Sequence, residues 1–262
     1  MRTAVVTGSA SGIGAATKQR LEAGGARVIG VDVRDADVFA DLGTSEGRVA
    51  AIDGVTTLAG GSIDALVTCA GVAGLTDRPG SLVVSINYFG TVALLDGLRP
   101  LLCGGHGPAA VAISSNSTTI QPGVPLDVVR CCLDDDEDEA RALADRASAL
   151  STYPASKLAV AWWVRRHAPT AEWAGAGIAL NAIAPGKVET ALLNETRGDH
   201  VIGALVDALP MPVGRSGTPD EIAALVDFLL GPDARFFCGS VVFCDGGTDA
   251  QLRADDFPAP MG

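Results

Sequence analysis

Short apolar runs recur along this 262-residue chain, separated by longer stretches in which apolar positions follow a helical spacing. The short runs are rich in Val, Ile and Ala and do not alternate with polar residues. Continuous apolar runs of this kind are typical of strands that are buried on both faces of a parallel sheet. The pattern predicts strands at residues 3–7, 27–33, 65–69, 109–114, 178–182 and 240–244.

The longer stretches contain good helix formers and end close to glycine or proline, which marks them as helices. The predicted helices lie at residues 15–23, 45–58, 82–102, 153–167 and 220–230. Strand and helix alternate along nearly the whole chain, and no repeat or flexible linker divides it. The sequence therefore predicts an α/β fold, a single domain over residues 1–262 in which helices cover both faces of a doubly wound, Rossmann-type parallel sheet.

One segment interrupts this alternation between Ser115 and Tyr153. The insertion, at about 116–152, is too long for an ordinary connection in a compact domain. It begins with polar residues, carries an acidic run at 134–138 and continues into a predicted helix at 140–150. Two interpretations stay open. The acidic run caps a solvated helix by complementing its dipole, or the insertion forms a lid or wall over a pocket.

The composition excludes several classes of partner. A net charge of −12 disfavours nucleic acid and anionic membrane surfaces, since both attract Lys and Arg. No apolar run approaches the roughly 20 residues that span a bilayer, and no signal peptide precedes the first strand. Six cysteines without a Cys-x-x-Cys pair and three scattered histidines predict reduced thiols and no metal site. We expect a cytoplasmic protein.

Glycines follow the first predicted strand at positions 8, 12 and 14, with Ser11 among them. Glycine at such a turn lets the backbone approach a pyrophosphate, which the amides at the start of the next helix can bind. Asp32 ends the second strand, where a carboxylate accepts hydrogen bonds from the adenosine ribose and repels a 2′-phosphate. Position 11 is a serine and not a basic residue that could bind this phosphate. The pattern therefore favours NAD over NADP, although Arg34 lies close by.

A second chemical signal lies far downstream, where Tyr153 and Lys157 are four residues apart. On a helix this spacing places a phenol beside an ammonium group. An adjacent cation favours the ionised phenol, so we expect Lys157 to lower the pKa of Tyr153 and to prepare it for proton transfer. Pro154 predicts that Tyr153 stands in, or just before, the first turn of its helix.

Taken in order, the motifs resemble those of the short-chain dehydrogenase/reductase family over essentially the whole chain. The matching segments lie at residues 7–14, 69–71, 85–90, 113–115, 153–157, 181–190 and 244–247. Cys69 stands where the family usually has asparagine. Within the family, the chain is most similar to the bacterial 3α-hydroxysteroid dehydrogenase/carbonyl reductase group, which also carries a long insertion before the tyrosine helix.

The resemblance implies a role for each matching residue. Tyr153 exchanges a proton with the substrate oxygen, Lys157 also binds the ribose of the nicotinamide, Ser115 holds the substrate oxygen, and Asn87 anchors water for a proton relay. The predicted catalytic residues are thus Asn87, Ser115, Tyr153 and Lys157. The predicted cofactor-binding residues are Gly8, Ser11, Gly12, Ile13, Gly14, Asp32, Asp41, Leu42, Cys69, Ala70, Gly71, Tyr153, Lys157, Pro185, Gly186, Val188 and Thr190.

We therefore expect an NAD-dependent oxidoreductase that interconverts secondary alcohols and ketones, acting on a 3α-hydroxysteroid or a similarly bulky apolar carbonyl compound. A reductase of 3-oxoacyl thioesters is one alternative, but acidic carrier proteins require a basic docking surface. A catalytically silent NAD sensor or scaffold is another. The family commonly pairs through its helices 4 and 5, so we expect a homodimer or homotetramer, in which the insertion alters that interface or covers the active site.

Overall fold

A parallel sheet forms the centre of the molecule. The structure, a computed structural model, describes residues 1–257, with Ala149 described by its backbone only; residues 258–262 of the predicted domain lie outside the described residues. The strands in this range are β1 (Thr3–Thr7), β2 (Arg27–Asp32), β3 (Val38–Phe39), β4 (Ala65–Thr68), β5 (Ala109–Ile113), β6 (Ala179–Pro185) and β7 (Val241–Cys244). They pair in parallel in the order β3-β2-β1-β4-β5-β6-β7. The predicted doubly wound α/β fold is confirmed.

Helices connect the strands and cover both faces of the sheet. Within residues 1–257 they are α1 (Gly12–Ala23), α2 (Ser45–Ala59), α3 (Gly80–Val84), α4 (Thr91–Cys103), α5 (Ser117–Ile120), α6 (Leu126–Leu133), α7 (Glu137–Arg146), α8 (Ala149–His167), α9 (Ala191–Gly198), α10 (Ile202–Asp207), α11 (Pro219–Leu230) and α12 (Thr248–Leu252). A π-helical turn, Ser85–Gly90, joins α3 to α4.

Each face of the sheet has its own apolar core. Val5 of β1 packs with residues of α2, α4 and α8 on one face, whereas the adjacent Val6 packs with residues of α1 and α11 on the other. Alternate residues of β5 divide between the two cores in the same way. Because both sets are buried, the strands contain no polar alternation, which explains the continuous apolar runs in the sequence.

Strand β3 is the one strand of the described chain that the apolar pattern does not predict. It is two residues long, with Val38 buried and Phe39 66% exposed. A run of two residues carries no periodicity. Its pairing with β2 nevertheless has a consequence, because it places the following residues, Ala40 to Leu42, beside the end of β2.

The insertion folds into short helices that pack on the domain. Asp136 accepts a hydrogen bond from the Glu139 amide at 3.1 Å and caps α7, as the capping interpretation of the acidic run predicts. The predicted helix at 140–150 instead runs over Glu137–Arg146, and α6 is a helix that the sequence reading misses. Helix α6 packs against α8, and α7 packs against α3.

Helix α8 begins earlier than expected. Ser148 caps it by accepting a hydrogen bond from the Ser151 amide at 3.3 Å. Tyr153 therefore lies in the second turn, and the prediction drawn from Pro154 is wrong. Proline within a helix leaves the carbonyl four residues earlier without its amide partner. Here that carbonyl belongs to Leu150, and the side chain of Gln121 donates to it at 2.5 Å.

The helix from Gly80 to Cys103 corrects the expectation that no apolar stretch approaches membrane-spanning length. Within the described residues it is long and apolar enough to cross a bilayer by length and composition alone. Polar residues such as Asn87 interrupt the apolar sequence, but the backbone stays helical through them. Since 67% of its most apolar stretch is buried inside this domain, we interpret it as a core helix.

Gly80→Ala is expected to lower the free energy of unfolding by about 1–3 kcal/mol, because a β-carbon there overpacks the contact with the insertion. That β-carbon would lie 2.1 Å from the backbone oxygen of Ala144 in α7. Urea denaturation measures the difference. Gly198→Ala is the matched control, since a β-carbon at Gly198 meets no atom within 4 Å. Equal stability of the two variants would contradict the close packing of the insertion.

Candidate active site

A cleft of about 470 Å³ lies where the carboxyl ends of the strands meet. Its wall is formed by the segments that follow β1, β2, β3, β4, β5 and β6, together with residues of α8 and α9. All of the predicted cofactor-binding residues border it, as do three of the four predicted catalytic residues, Ser115, Tyr153 and Lys157. The cleft thus collects residues from positions 8 to 193 of the chain. Their individual roles stay predictions.

The glycine loop after β1 is shaped by close approach of the backbone. Gly8 and Gly12 have φ angles of +66° and +52°, which favour glycine. A β-carbon on Gly14 would lie 2.1 Å from the Gly8 carbonyl oxygen. At the start of α1, the side chain of Ser11 makes no capping hydrogen bond. The arrangement leaves room and uncapped helix amides for an anionic group such as a pyrophosphate.

Asp32 is held rigidly at the end of β2. Its two carboxylate oxygens accept hydrogen bonds from the amides of Ala10 and Val33, at 3.0 Å and 2.7 Å. A carboxylate oxygen has more than one acceptor position, so both can still accept hydrogen bonds from a ligand in the cleft. This orientation fits the predicted contact with vicinal ribose hydroxyls.

Helix α8 places Tyr153 and Lys157 beside the end of β5. The Lys157 ammonium donates a hydrogen bond to the Ile113 carbonyl at 3.0 Å. The Ser114 hydroxyl donates to the Lys157 carbonyl at 2.9 Å, which fixes the helix to the strand end. Ser115, the next residue, lies beside the Tyr153 side chain, and its hydroxyl accepts a hydrogen bond from the Ser117 amide at 3.2 Å. The geometry brings a phenol, a hydroxyl and an ammonium group into one corner of the cleft.

Burial dominates the electrostatics of this corner. It raises the pKa of Tyr153 above its ordinary value, and the neighbouring Ser115 side chain opposes the shift. Burial also lowers the pKa of Lys157 to about 8, so the group is mostly charged at neutral pH. The expectation that Lys157 lowers the pKa of Tyr153 stays a prediction. Lys157 donates to the Ile113 carbonyl, and burial sets the direction of the phenol's shift.

The fourth predicted catalytic residue, Asn87, lies outside the cleft wall and is fully buried in the π-helical turn. Its amide side chain forms a clamp on Val72, accepting from the amide at 2.8 Å and donating to the carbonyl at 3.0 Å. It also donates to the Ser156 hydroxyl at 3.3 Å. The side chain therefore fixes the loop after β4, and its predicted part in a water relay stays a prediction.

Comparison with known proteins identifies the group to which this geometry belongs. Residues 2–125 match the family model described as short chain dehydrogenase, and residues 141–249 match one described as Enoyl-(Acyl carrier protein) reductase. The 3-alpha-hydroxysteroid dehydrogenase/carbonyl reductase of Comamonas testosteroni is 40% identical over 98% of this chain and 100% of its own length. The chain belongs to the short-chain dehydrogenase/reductase family.

Other members of the family are similar over nearly the whole chain. The cis-4-hydroxycyclohexanecarboxylate dehydrogenase of Sinomonas cyclohexanicum is 33% identical, covering 95% of this chain and 97% of its own. The crystal structure of a 3-alpha-hydroxysteroid dehydrogenase from Pseudomonas sp. B-0831, complexed with NADH, is 45% identical. It superposes with a TM-score of 0.93 over 97% of this chain and 100% of its own.

The short-chain dehydrogenase cleft is also lined by residues that the motifs do not single out. Val72, Ile86 and the pair Leu192 and Leu193 contribute apolar wall, and Arg34 contributes a cation. The leucines lie in a segment with no motif, so only the tertiary structure brings them to the cleft. Among the lining residues on the β4, β5 and β6 side of the cleft, Lys157 alone is charged, which leaves that half mainly apolar.

Cys69 borders the cleft in the place where the family usually has asparagine. Burial raises the pKa of its thiol to about 12, with the charge of Lys157 opposing the shift. The group is therefore a neutral thiol at physiological pH. A thiol in this state is a weak nucleophile and packs as a small apolar side chain.

Lys157→Met is expected to raise the free energy of unfolding at pH 7 by about 2 kcal/mol, because it removes a buried charge. Below pH 8 the lysine is charged in both the folded and the unfolded protein. Between pH 8 and its ordinary pKa of 10.5, the unfolded chain binds more protons, so wild-type stability rises and the advantage of the variant shrinks. Urea denaturation at pH 7 and at about pH 9.5 measures this. A difference that does not change with pH would contradict the lowered pKa.

Proposed function

We propose that this protein is an NAD-dependent oxidoreductase that interconverts secondary alcohols and ketones, with a 3α-hydroxysteroid or a similarly bulky apolar compound as substrate. The observation that carries the proposal is the corner formed by Ser115, Tyr153 and Lys157, open to a mainly apolar half of the cleft. The names of the Comamonas and Pseudomonas relatives support the same substrate class.

The residues present fit NAD as the cofactor. Gly8, Gly12 and Gly14 form the cradle for the pyrophosphate, and a β-carbon at Gly8 would lie 2.8 Å from the Ala70 amide nitrogen. Asp32 would accept hydrogen bonds from the adenosine ribose and repel the extra phosphate of NADP. When bound, NAD supplies the hydride acceptor for the oxidation. The NADH complex of the Pseudomonas relative supports this assignment.

The side chains in the corner would divide the proton chemistry between them. Ser115 would donate a hydrogen bond to the substrate oxygen and hold it beside the phenol. In oxidation, Tyr153 would first release its own proton to solvent and then, as the phenolate, take the hydroxyl proton while the carbon-bound hydrogen leaves with its electron pair. In reduction the phenol would give its proton to the substrate oxygen. Lys157 has two N–H groups beyond the one bound to Ile113, and these remain available to a ligand hydroxyl.

A 3-oxoacyl thioester reductase is the second candidate. The model that residues 141–249 match is described as an Enoyl-(Acyl carrier protein) reductase, and reduction of an enoyl group acts on a carbon–carbon double bond rather than on a ketone. The net charge of −12 argues against it, because acidic carrier proteins dock on basic surfaces. Asp32 also disfavours NADP. A silent NAD sensor has less support, since Tyr153 and Lys157 are both present.

Tyr153→Phe is expected to abolish turnover of a 3α-hydroxysteroid with NAD, because it removes the group that exchanges the proton. The loss should be at least on the order of a hundredfold in kcat. NAD absorbance assays measure turnover, and a fluorescence titration measures cofactor binding. The variant should bind NAD with nearly the wild-type affinity, since Asp32 and the glycine loop are unchanged.

If the Tyr153→Phe variant oxidises the steroid with a kcat close to that of the wild-type enzyme, the proposed mechanism is wrong. The wild-type enzyme serves as the control with both cofactors, and kcat/KM should favour NAD over NADP by tenfold or more, a difference of about 1.4 kcal/mol. Binding of NAD without turnover across a panel of steroids, terpenoid alcohols and small ketones would support the sensor instead.

A cytoplasmic homodimer or homotetramer is the form that we propose for the protein. Helix α8, which corresponds to the family's helix 5, carries α6 of the insertion on its surface. Pairing through helices 4 and 5 would therefore have to include the insertion. Among the residues that line the cleft, which run in sequence from Gly8 to Leu193, none belongs to the insertion. An insertion that alters the subunit interface is therefore better supported than one that covers the active site.

Sedimentation velocity at assay concentration is expected to give the mass of two or four chains, because the insertion adds surface to the helices through which the family pairs. A dilution series provides the control, since a true oligomer dissociates only below its Kd. A monomer at assay concentration would contradict the prediction.

A further inference from the structure

Arg48 is a buried charged residue of α2, with 8% of its surface exposed. Its guanidinium binds three separate parts of the molecule. The Nε atom donates to the Leu42 carbonyl at 2.9 Å, and Nη2 donates to the Ser85 carbonyl at 3.3 Å. Both Nη atoms also bind the carboxylate of Glu137, at 2.6 Å and 2.7 Å. A paired, fork-like contact of this kind is the strongest hydrogen-bonding geometry of arginine.

Leu42 is the partner that connects Arg48 to the cleft. Asp41 and Leu42 both border it, on the side of β2 and Asp32. Their segment is tightly enclosed, since a β-carbon on Gly90 would lie 2.9 Å from the Leu42 β-carbon. A β-carbon on Gly47 would lie 1.9 Å from the Asp41 carbonyl oxygen. The segment therefore has little freedom while Arg48 holds its carbonyl.

Glu137 supplies the counter-charge from the insertion. Besides binding Arg48, it accepts a hydrogen bond from the Ser85 hydroxyl at 3.0 Å, and Arg141 donates to that hydroxyl at 2.7 Å. Burial tends to raise the pKa of Glu137, but the hydrogen bonds from Arg48 and Ser85 outweigh it and hold the pKa below its ordinary value. The carboxylate is thus charged and fixed without touching the cleft itself.

We propose that Arg48 and Glu137 are positioning residues for the adenosine end of the cofactor cleft, so that the insertion sets the affinity for NAD without contacting it. The inference rests on the proposed function in so far as it requires that NAD binds in this cleft. It adds a role for the insertion that neither a lid nor a helix cap provides.

The physical reason lies in the cost of leaving Arg48 without its partner. A buried charge that loses its counter-ion turns toward water or becomes strongly destabilising. In either case the Leu42 carbonyl loses its donor, and the segment must be ordered again when adenosine binds. That ordering reduces affinity. Ser115, Tyr153 and Lys157 belong to the other half of the cleft, so the chemical step is affected less.

The experiment measures the Kd of ADP-ribose by calorimetry, together with KM for NAD and kcat at saturating NAD. Glu137→Gln and Arg48→Lys are each expected to raise the Kd for ADP-ribose and the KM for NAD about tenfold, while kcat stays within about twofold of the wild-type value. Glu137→Asp keeps the charge on a shorter side chain and should recover part of the affinity. Circular dichroism and urea denaturation establish that each variant is folded.

Glu139→Gln is the matched control on the same helix. Glu139 pairs with Arg146 at 3.1 Å, and both side chains are at least half exposed. The Glu139→Gln variant should therefore have the Kd and KM of the wild-type protein. A purely structural effect of Glu137 would lower kcat and the folded fraction while leaving the Kd of the folded protein unchanged.

Two outcomes would overturn the inference. If the wild-type protein binds ADP-ribose and folded Glu137→Gln binds it equally well, the positioning role is wrong and the proposed function stands. If the wild-type protein does not bind ADP-ribose or NAD, the proposed function fails and this inference fails with it. A rise in Kd for Glu137→Gln and Arg48→Lys, but not for Glu139→Gln, would support it.

Discussion

All strands that the structure describes between residues 1 and 257 run parallel, and this constraint locates everything of functional interest. Their carboxyl ends open at one edge, so the segments after β1, β2, β3, β4, β5 and β6 face a common space. The order of the strands reverses between β1 and β4, and the loops after these strands diverge to leave a cleft. Residues as distant in sequence as Gly8 and Leu193 thereby become neighbours. Strands buried on both faces are what make such a sheet stable, since helices cover each side.

The insertion acts on the cleft from outside it. Gln121 provides the hydrogen bond that Pro154 withholds from Leu150, which allows α8 to continue through the proline and carry Tyr153 in its second turn. Glu137 neutralises Arg48, which in turn holds the segment after β3. Neither Gln121 nor Glu137 borders the cleft. The insertion therefore supports the elements at both ends of the site, the catalytic helix and the adenosine side.

Desolvation governs the chemistry of the catalytic corner. It raises the pKa of Tyr153 and lowers that of Lys157, so in both cases it favours the neutral form. Ser115 is the group that opposes the shift of the phenol. The two shifts move the pKa values apart, since that of the phenol rises above 10.0 while that of the ammonium group falls from 10.5 to about 8. At neutral pH the lowered pKa of Lys157 costs folding stability, and the packing of the two apolar cores must offset it.

The chain by itself determined the fold class, the extent of most strands and the positions of the glycines, Asp32, Tyr153 and Lys157, because each depends on local patterns of apolarity or spacing. Ser115 followed only from the resemblance to the family. It could not determine β3, the start of α8 or the residues of α6, since these depend on partners far away in sequence, such as β2, Gln121 and α8 itself. The apolar wall of Leu192 and Leu193 carries no motif. The electrostatics of Tyr153 and Lys157 depend on the same kind of information: spacing on a helix places two side chains together, but only the tertiary structure decides how deeply they are buried and which carbonyl the lysine binds.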